Sequence, residues 1–267
     1  MQNDYWHRQA SDKPLYPDLL WSRPENRLTA GKLLIIGGNQ FGFAEPAEAF
    51  KAAEAAGIGT VRMLLPDSLR PFVGKVFTAG ELLPSTPSGS FSRQALGPML
   101  HEASWADGVL LAGGLGRNSE TAIVLESFAD KYAGQLTITK DAADYFTAAP
   151  QKILGRPDTT FVISLAQLQK LARSAGFPRA FTFGMDLLQL VETLHEFTGQ
   201  YQISLIIKHL QNVLVANGGQ VSSTKLQQDQ AIWRVKTAAH ASVWWLQNPI
   251  KPFEALTAAI YETTKTP

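Results

Sequence analysis

Short apolar runs alternate with amphipathic, helix-like segments along most of the chain. Two of these runs end abruptly in glycines: Leu33–Ile36 leads into Gly37–Asn39, and Gly108–Ala112 leads into Gly113–Gly116. A continuous apolar run is typical of a parallel strand that is buried on both faces. The glycines predict a turn at the carboxyl end of each strand, where two such loops can build a cleft.

The remaining elements follow the same alternation. Further strands are predicted at Thr60–Leu65, Gln135–Thr139, Thr160–Ile163, Ile203–Ile207 and Asn212–Ala216, and an irregular strand with a loop at Gly74–Gly89. Helices are predicted at Glu45–Ala56, Ser92–Ser104, Ser119–Tyr132, Leu165–Ala175, Met185–Phe197, Gln228–Gln247 and Pro252–Thr263. Pro14, Pro17 and Pro24 exclude a long helix near the start, so residues 1–30 are expected to form an irregular leader. The pattern predicts an α/β fold in a single domain over residues 1–267, with a central, mostly parallel sheet and helices on both faces.

The composition excludes several kinds of functional site and says less about the fold. The 267 residues carry a net charge of +1, which gives no reason to expect nucleic acid or a membrane surface as a partner. The absence of cysteine excludes disulfides, thiolate metal sites and cysteine nucleophiles. The histidines show no H-x-x-x-H spacing, so no metal site is predicted. Polar residues near the start, where a signal peptide would be apolar, favour a cytoplasmic protein.

The first glycine turn holds Gly37, Gly38 and Asn39, between a predicted strand and a predicted helix. Backbone N–H groups in such a turn, with a helix dipole behind them, suit an anion or a close-lying ligand. A tight turn without a ligand fits the same residues equally well. The turn lacks both the G-x-x-x-x-G-K-[ST] phosphate loop and the G-x-G-x-x-G fingerprint, so a standard dinucleotide-binding domain is not predicted.

The second turn is richer in glycine. Gly113, Gly114 and Gly116 lack the Cβ atoms that would keep a planar or phosphorylated ligand away from the backbone. Arg117 follows at the expected start of a helix, where it could pair with a phosphate or lie on the surface without a partner. These residues are the candidate substrate-binding site.

Four segments carry a further pattern. Arg27–Gly38 precedes and forms the first strand, Leu111–Gly116 contains the second glycine turn, Ile206–His209 ends a strand with a lysine, and Pro252–Tyr261 forms the last helix. In this order they resemble the ADP/ATP-dependent NAD(P)H-hydrate dehydratases of the ribokinase-like carbohydrate kinase superfamily. The second segment is similar to a G-P-G-L-G loop with Gly114 in place of proline, and the third to an L-K-G signature. The similarity covers nearly the whole chain through the order and spacing of its motifs.

The resemblance implies a ribokinase-like three-layer sandwich and a specific reaction. Members of the family phosphorylate the hydroxyl of hydrated NADH or NADPH with ADP or ATP and Mg²⁺, and then eliminate phosphate. Lys208 and His209, which replaces the glycine of the signature, would bind the nucleotide. The two glycine turns would approach hydrated NAD(P)H or another nucleotide-like small molecule. A homo-oligomer is a further expectation from the resemblance.

The chain departs from the family where the acid–base step is expected. The family uses the aspartate of a G-[ST]-G-D motif at a helix N-terminus to accept the hydroxyl proton. Counting back from the last helix places this motif at Arg234–Thr237, and local similarity places it at Ala239–Ser242 with a shortened helix; neither segment has glycine or aspartate. The T-P-H-x-x-E segment of the family corresponds to Ser164–Gln169, which lacks both histidine and glutamate.

Two residues are candidates for a replacement base. His240 has an imidazole of suitable pKa, although a helix histidine without a chemical role fits as well. Asp141 lies in a segment similar to the family's D-A-D segment, and it could equally cap a short helix at Ala142–Phe146. Asp229, the nearest upstream carboxylate, is expected at a solvated helix start.

These departures support three functional hypotheses. The first is a nucleotide-binding homologue of the dehydratases that is impaired or inactive in their carbon–oxygen lyase reaction, and therefore a pseudoenzyme. The second is a non-catalytic scaffold or binding protein on the same fold. The third is a small-molecule kinase of the ribokinase superfamily with a rearranged base.

Overall fold

A computed structural model describes residues 4–73, 78–226 and 233–265. It contains one ten-stranded sheet with the order β1-β10-β9-β8-β7-β6-β5-β2-β3-β4. The strands are β1 (Trp6–Gln9), β2 (Lys32–Gly37), β3 (Thr60–Pro66), β4 (Gly80–Leu83), β5 (Gly108–Gly113), β6 (Gln135–Thr139), β7 (Thr159–Ser164), β8 (Ile203–His209), β9 (Asn212–Asn217) and β10 (Gln220–Lys225). Only the pairs β8–β9 and β9–β10 are antiparallel, among the strands that the structure describes. The predicted mostly parallel sheet is confirmed.

Helices connect the parallel strands. They are α1 (Pro17–Trp21), α2 (Ala44–Ala55), α3 (Arg70–Val73), α4 (Leu96–Ala103), α5 (Ser119–Lys131), α6 (Ala142–Tyr145), α7 (Pro150–Leu154), α8 (Leu165–Ser174), α9 (Leu187–Gln200), α10 (Trp233–Gln247) and α11 (Pro252–Lys265). Most predicted boundaries are confirmed to within a few residues. Helix α9 begins later than predicted because Asp186 caps it, in a reciprocal hydrogen-bonding arrangement with Gln189. No helix in the described ranges is long and apolar enough to cross a membrane.

The core lies on both faces of the sheet, because successive side chains of each central strand point to opposite faces. In β2, Leu34 and Ile36 pack in a cluster with α4, α5, α8 and α9. Leu33 and Ile35 pack in a second cluster with α2, α10 and α11. All four side chains are fully buried, which explains the unbroken apolar run in this strand. The expected three layers, helix–sheet–helix, are therefore present.

The first 30 residues differ from the prediction of an irregular leader. Residues Trp6–Gln9 form β1, which pairs in parallel with β10 at one edge of the sheet. Strand β10 was not predicted either, because its sequence, Gln-Val-Ser-Ser-Thr-Lys, is polar. Side chains on neighbouring elements satisfy these buried hydroxyls: Trp6 Nε1 donates to Ser223 Oγ at 2.9 Å, and Gln9 Nε2 donates to Thr224 Oγ1 at 2.9 Å.

Two predicted elements extend beyond the described residues. The strand and loop predicted at Gly74–Gly89 include residues 74–77, and the described strand there is β4. The helix predicted at Gln228–Gln247 includes residues 228–232, and Asp229 also lies outside the described residues.

Substitution of Gln9 tests the attachment of β1. The buried Gln9 amide donates to Thr224 Oγ1 and to the Thr257 carbonyl, and its oxygen accepts the Leu15 N–H. Gln9→Ala leaves these groups without their partner, so we expect the free energy of unfolding to fall by about 1–3 kcal/mol. Urea denaturation measures the change. The exposed Gln151→Ala is the control, and equal stability of the two variants would show that the Gln9 contacts do not hold the strand.

Candidate functional site

The two glycine turns meet at the carboxyl edge of the sheet, as the sequence predicts. They follow the adjacent strands β2 and β5. The Gly38 N–H donates to the Gly113 carbonyl at 3.0 Å, and Asn39 Nδ2 donates to the Gly114 carbonyl at 2.6 Å. A Cβ atom on Gly37 would lie 2.5 Å from the Gly113 carbonyl oxygen, closer than real Cβ contacts allow. Close backbone approach therefore requires glycine at this point.

The carboxylate of a residue just after β6 binds the backbone of the second glycine turn. Asp141 Oδ1 accepts the Gly114 N–H at 2.7 Å, and Oδ2 accepts the N–H groups of Leu115 at 2.9 Å and Gly116 at 3.1 Å. Asp141 is the N-cap residue of α6, as one interpretation predicted, but its side chain makes no capping hydrogen bond and binds the glycine turn instead. Burial raises the pKa of Asp141, and the three backbone donors act against this shift. The amides that could cradle a phosphate already bind the protein's own anion.

A cavity of about 340 Å³ opens beside this turn. It is lined by Glu45, Gly114, Lys140, Asp141, Asp144, Gln167 and Arg234. These residues lie at the ends of strands or in the first turns of helices α2, α6, α8 and α10 at the same edge of the sheet. The cavity thus contains both carboxylates and cations, and it sits where ligands bind in open α/β sheets.

Gln167 connects the groups around the cavity. Its Nε2 donates to the Lys140 carbonyl at 2.7 Å and to Asp144 Oδ1 at 3.2 Å. Its Oε1 accepts from Arg234 Nη1 at 3.0 Å. Gln167 itself is held by a capping box with Ser164 at the start of α8. The segment that is similar to T-P-H-x-x-E therefore contributes an amide to the cavity through Gln167, which lies between the positions of the missing histidine (Ala166) and glutamate (Gln169).

The start of α10 distinguishes the two alignments of the missing motif. Residues 234–237 form the first turn, where the family's motif belongs, whereas residues 239–242 are buried in the middle of the helix. Helix α10 covers Trp233–Gln247 among the described residues, so Ala239–Ser242 lies inside a helix and not at a helix N-terminus, which does not fit the second alignment. Within the first turn Arg234 lines the cavity, and Lys236 pairs with Glu48 of α2 at 3.9 Å. Cationic side chains thus occupy this turn.

His240 lies away from these groups. It is buried in the interior of α10 and is not among the residues that line the cavity. Burial, together with the charges of Arg23 and Lys236, lowers the pKa of His240 to about 4. This placement gives no support to His240 as the base of a reaction in the cavity.

Three other predicted residues, Lys208, His209 and Arg117, are not among the described residues that line the cavity. Lys208 is half-buried at the end of β8, paired in register with Ser164 of β7, whose hydroxyl and N–H bond to Gln167. His209 is buried, and its Nε2 bonds to the Met185 carbonyl at 2.8 Å. Arg117 is exposed beside Asn118, the N-cap of α5, and does not line the cavity. Their roles in ligand binding stay predictions.

Sequence reasoning missed most of the cavity lining. Lys140 and Asp144 lie within five residues of the end of β6, and Gln167 lies three residues after β7. Polar residues just after the strands of a parallel sheet could have been tested as one group, because such ends share an edge. No comparable signal marks Arg234, since its position depends on where α10 begins.

Comparisons with solved structures identify the fold. No family model matches the chain. A ribokinase-like superfamily protein from Enterococcus faecalis superposes with a TM-score of 0.67, 13% identity, and coverage of 98% of this chain and 88% of that chain. The ADP/ATP-dependent NAD(P)H-hydrate dehydratase from Bacillus subtilis, co-crystallised with ATP and Mg²⁺, superposes with a TM-score of 0.57, 12% identity, and coverage of 93% and 86%. The chain has a ribokinase-like α/β fold.

A curated relative confirms the resemblance drawn from the motifs. The chain is similar to the bifunctional NAD(P)H-hydrate repair enzyme Nnr from Moorella thermoacetica, with 24% identity over 195 residues. The match covers 72% of this chain and 35% of that protein. The chain therefore spans about a third of the length of the curated relative that it matches.

Removal of the Asp141 carboxylate tests its role in the glycine turn. Asp141→Ala leaves three N–H groups without their acceptor, so we expect a loss of about 2–4 kcal/mol in the free energy of unfolding. Asp130→Ala removes an exposed ion pair with Lys152 and should cost much less stability. Urea denaturation of both variants makes the comparison, and similar losses would contradict the role assigned to Asp141.

The buried His240 predicts a pH dependence of stability. The folded state keeps the imidazole neutral down to pH about 4, whereas in the unfolded chain it takes up the proton near the ordinary histidine pKa of 6.5. The neutral imidazole therefore contributes fully to the free energy of unfolding above pH 6.5, and this contribution is lost as the pH falls toward 4. The loss is about 2 kcal/mol between pH 7 and 5. His240→Gln should lose correspondingly less stability over this interval, measured by urea denaturation. The exposed His101→Gln should behave as the wild type does, and an unchanged pH slope in His240→Gln would refute the prediction.

Proposed function

We propose that the chain is a nucleotide-binding homologue of the NAD(P)H-hydrate dehydratases, on a single ribokinase-like domain, that is impaired or inactive in their reaction. The observation that carries the proposal is Arg234 in the first turn of α10, facing the cavity. The resemblance places the proton-accepting aspartate in this turn. In the alignment to Arg234–Thr237 the aspartate corresponds to Thr237, whose hydroxyl is not a base at physiological pH, and the guanidinium of Arg234 stays protonated. The family's base is therefore missing from its usual place.

The cavity itself supports binding of a small polar ligand. Its volume of about 340 Å³ falls within the range of about 300–1,000 Å³ that is usual for small-molecule sites. Hydrogen-bonding and charged groups converge on it from four helices and two strand ends. The dehydratase of Bacillus subtilis, which shares the fold, was co-crystallised with ATP and Mg²⁺. A nucleotide-like small molecule is the ligand that both observations favour.

The carboxylates of the cavity differ in their freedom to act. Both oxygens of Asp141 accept backbone N–H groups, and Glu45 Oε1 faces Lys140 Nζ at 3.6 Å. Asp144 is exposed and accepts one hydrogen bond, at 3.2 Å from Gln167. This carboxylate favours a second candidate function, a small-molecule kinase in which Asp144 is the rearranged base. Asp141 would then orient the turn and leave the proton transfer to Asp144.

The residues present also fit a nucleotide that carries Mg²⁺ on its phosphates. No group of three or more histidine or carboxylate side chains among the described residues could hold a metal ion by itself. Magnesium keeps several waters and commonly binds through phosphates with one or two carboxylates. Asp144, as the exposed carboxylate of the cavity, is the residue best placed to add a ligand. The ion would neutralise phosphate charge when bound.

Titration calorimetry with ADP and ATP, with and without Mg²⁺, tests the proposal, together with an assay for turnover of hydrated NADH. Nucleotide binding without turnover is the expected result. Turnover at a rate typical of enzymes would overturn the impaired chemistry, and absence of nucleotide binding would favour a scaffold. Phosphorylation of a small alcohol that is lost in Asp144→Asn would establish the kinase instead.

Substitution of Lys208 tests the predicted nucleotide site. The side chain is half-buried at the end of β8, next to the strand that leads to Gln167. Lys208→Ala should weaken ADP binding by about tenfold, corresponding to about 1.4 kcal/mol, with little change in the melting temperature. Lys225→Ala, an exposed lysine at the end of β10, is the control. Unchanged ADP affinity would contradict the binding role of Lys208, and a large loss of stability would assign it a structural role.

A further inference from the structure

Arg234 is a cation without a counter-ion in the described part of the chain. Its guanidinium donates to a neutral acceptor, Gln167 Oε1, at 3.0 Å. No carboxylate of residues 4–73, 78–226 and 233–265 forms an ion pair with it. Arg234 is half-buried and lines the cavity. A guanidinium presents several donors in a planar fork, and this geometry suits two oxygens of one phosphate.

Lys140 is the second cation of the cavity, and its backbone is held in an unfavourable conformation. Its φ angle of 55° lies in the left-handed region, which costs energy for a residue other than glycine. Two contacts enforce this conformation. Gln167 Nε2 donates to the Lys140 carbonyl at 2.7 Å. The Lys140 Cβ lies 2.5 Å from the position that a Cβ on Gly113 would take, so the glycine leaves room for it. Such over-determined strain clusters at ligand sites.

One amide therefore positions both cations. Gln167 bonds through its oxygen to the side chain of Arg234 and through its nitrogen to the backbone of Lys140. Its own side chain is buried and fixed by Ser164. A neutral amide can hold a guanidinium in place without neutralising its charge. A glutamate at the same position would form an ion pair and remove the attraction for an incoming anion.

The backbone of the second glycine turn is not free to bind a phosphate, so side chains must bind it. Its N–H groups at Gly114, Leu115 and Gly116 are already bound to Asp141, so they are not available to a phosphate. The Lys140–Glu45 pair is loose at 3.6 Å, and both side chains are partly exposed. Exposed ion pairs of this kind contribute little and exchange readily for a stronger partner. A phosphate could therefore replace Glu45 beside Lys140 while Arg234 binds it from α10.

We propose that Arg234 and Lys140 form a phosphate clamp in the cavity, and that Gln167 is the residue that positions them. The proposal rests on the proposed function, because it names the groups that bind the phosphates of the nucleotide-like ligand. The clamp consists of side chains, because Asp141 already occupies the backbone N–H groups of the glycine turn. It binds the ligand through its charged end and carries no base.

The experiment measures three probes by titration calorimetry at constant ionic strength: inorganic pyrophosphate, ADP and adenosine. Arg234→Gln and Lys140→Gln should each weaken pyrophosphate and ADP binding by tenfold or more and leave adenosine binding unchanged. Their affinities should also depend less on salt than that of the wild type, because an ionic contact is lost. Arg173→Gln, an exposed arginine on α8, is the matched control. Urea denaturation of each variant verifies that it is folded.

Gln167→Glu tests the positioning role. We expect weaker pyrophosphate binding and lower salt sensitivity than in the wild type, with adenosine binding retained. Gln167→Glu with wild-type pyrophosphate affinity would refute the positioning role alone.

The three probes separate failure of the clamp from failure of the proposed function. If the wild type binds ADP and both cation variants bind it equally well, the clamp is refuted and the proposed function is retained. If the wild type binds pyrophosphate but no nucleotide, and both variants lose pyrophosphate binding, the clamp is supported and the proposed function is refuted. Absence of binding by all three probes in the wild type would refute both.

Discussion

The carboxylate of Asp141 is the interaction on which the site depends. It joins the end of β6 to the turn after β5 through three backbone N–H groups, and this turn is in turn joined to the one after β2 through Gly38 and Asn39. Three adjacent strands are thereby connected at one edge of the sheet. An unpaired carboxylate would be costly to bury here, and unpaired amides would be costly as well, so each group stabilises the other. The turn cannot offer the same amides to a ligand.

This constraint changes how the cavity can bind an anion. Where backbone amides are already occupied, attraction must come from side chains, and the cavity has two cations for the purpose. Gln167 holds Arg234 without neutralising it, and it also satisfies the carbonyl of the strained Lys140. Binding through side-chain charge depends on ionic strength more than binding through buried amides does. Under the proposed function, the fold keeps a ligand site without the acid–base residue of the dehydratases.

The comparison with dehydratases is informative because the fold and the site have diverged to different extents. The fold superposes over most of the chain at an identity of 12–14% with the structures of the Bacillus subtilis dehydratase. Packing tolerates substitutions that keep volume and polarity pattern, whereas a reaction depends on particular functional groups. In the proposed alignment Arg234 takes the place of the motif's first glycine and Thr237 the place of its aspartate, so this turn of α10 presents a cation to the cavity. The shared architecture is thus compatible with a different task.

The sequence by itself determined the layers, the central strands and the two glycine turns, because buried parallel strands require continuous apolar runs and close backbone contacts require glycine. It did not reveal β1 and β10, whose polar residues are satisfied by hydrogen bonds to distant segments such as Gln9–Thr224. Only the tertiary structure decided that Asp141 binds the glycine turn and that Gln167 holds Arg234, 67 residues away. Such pairings depend on where strands end and helices begin in space, and local sequence patterns carry no record of them.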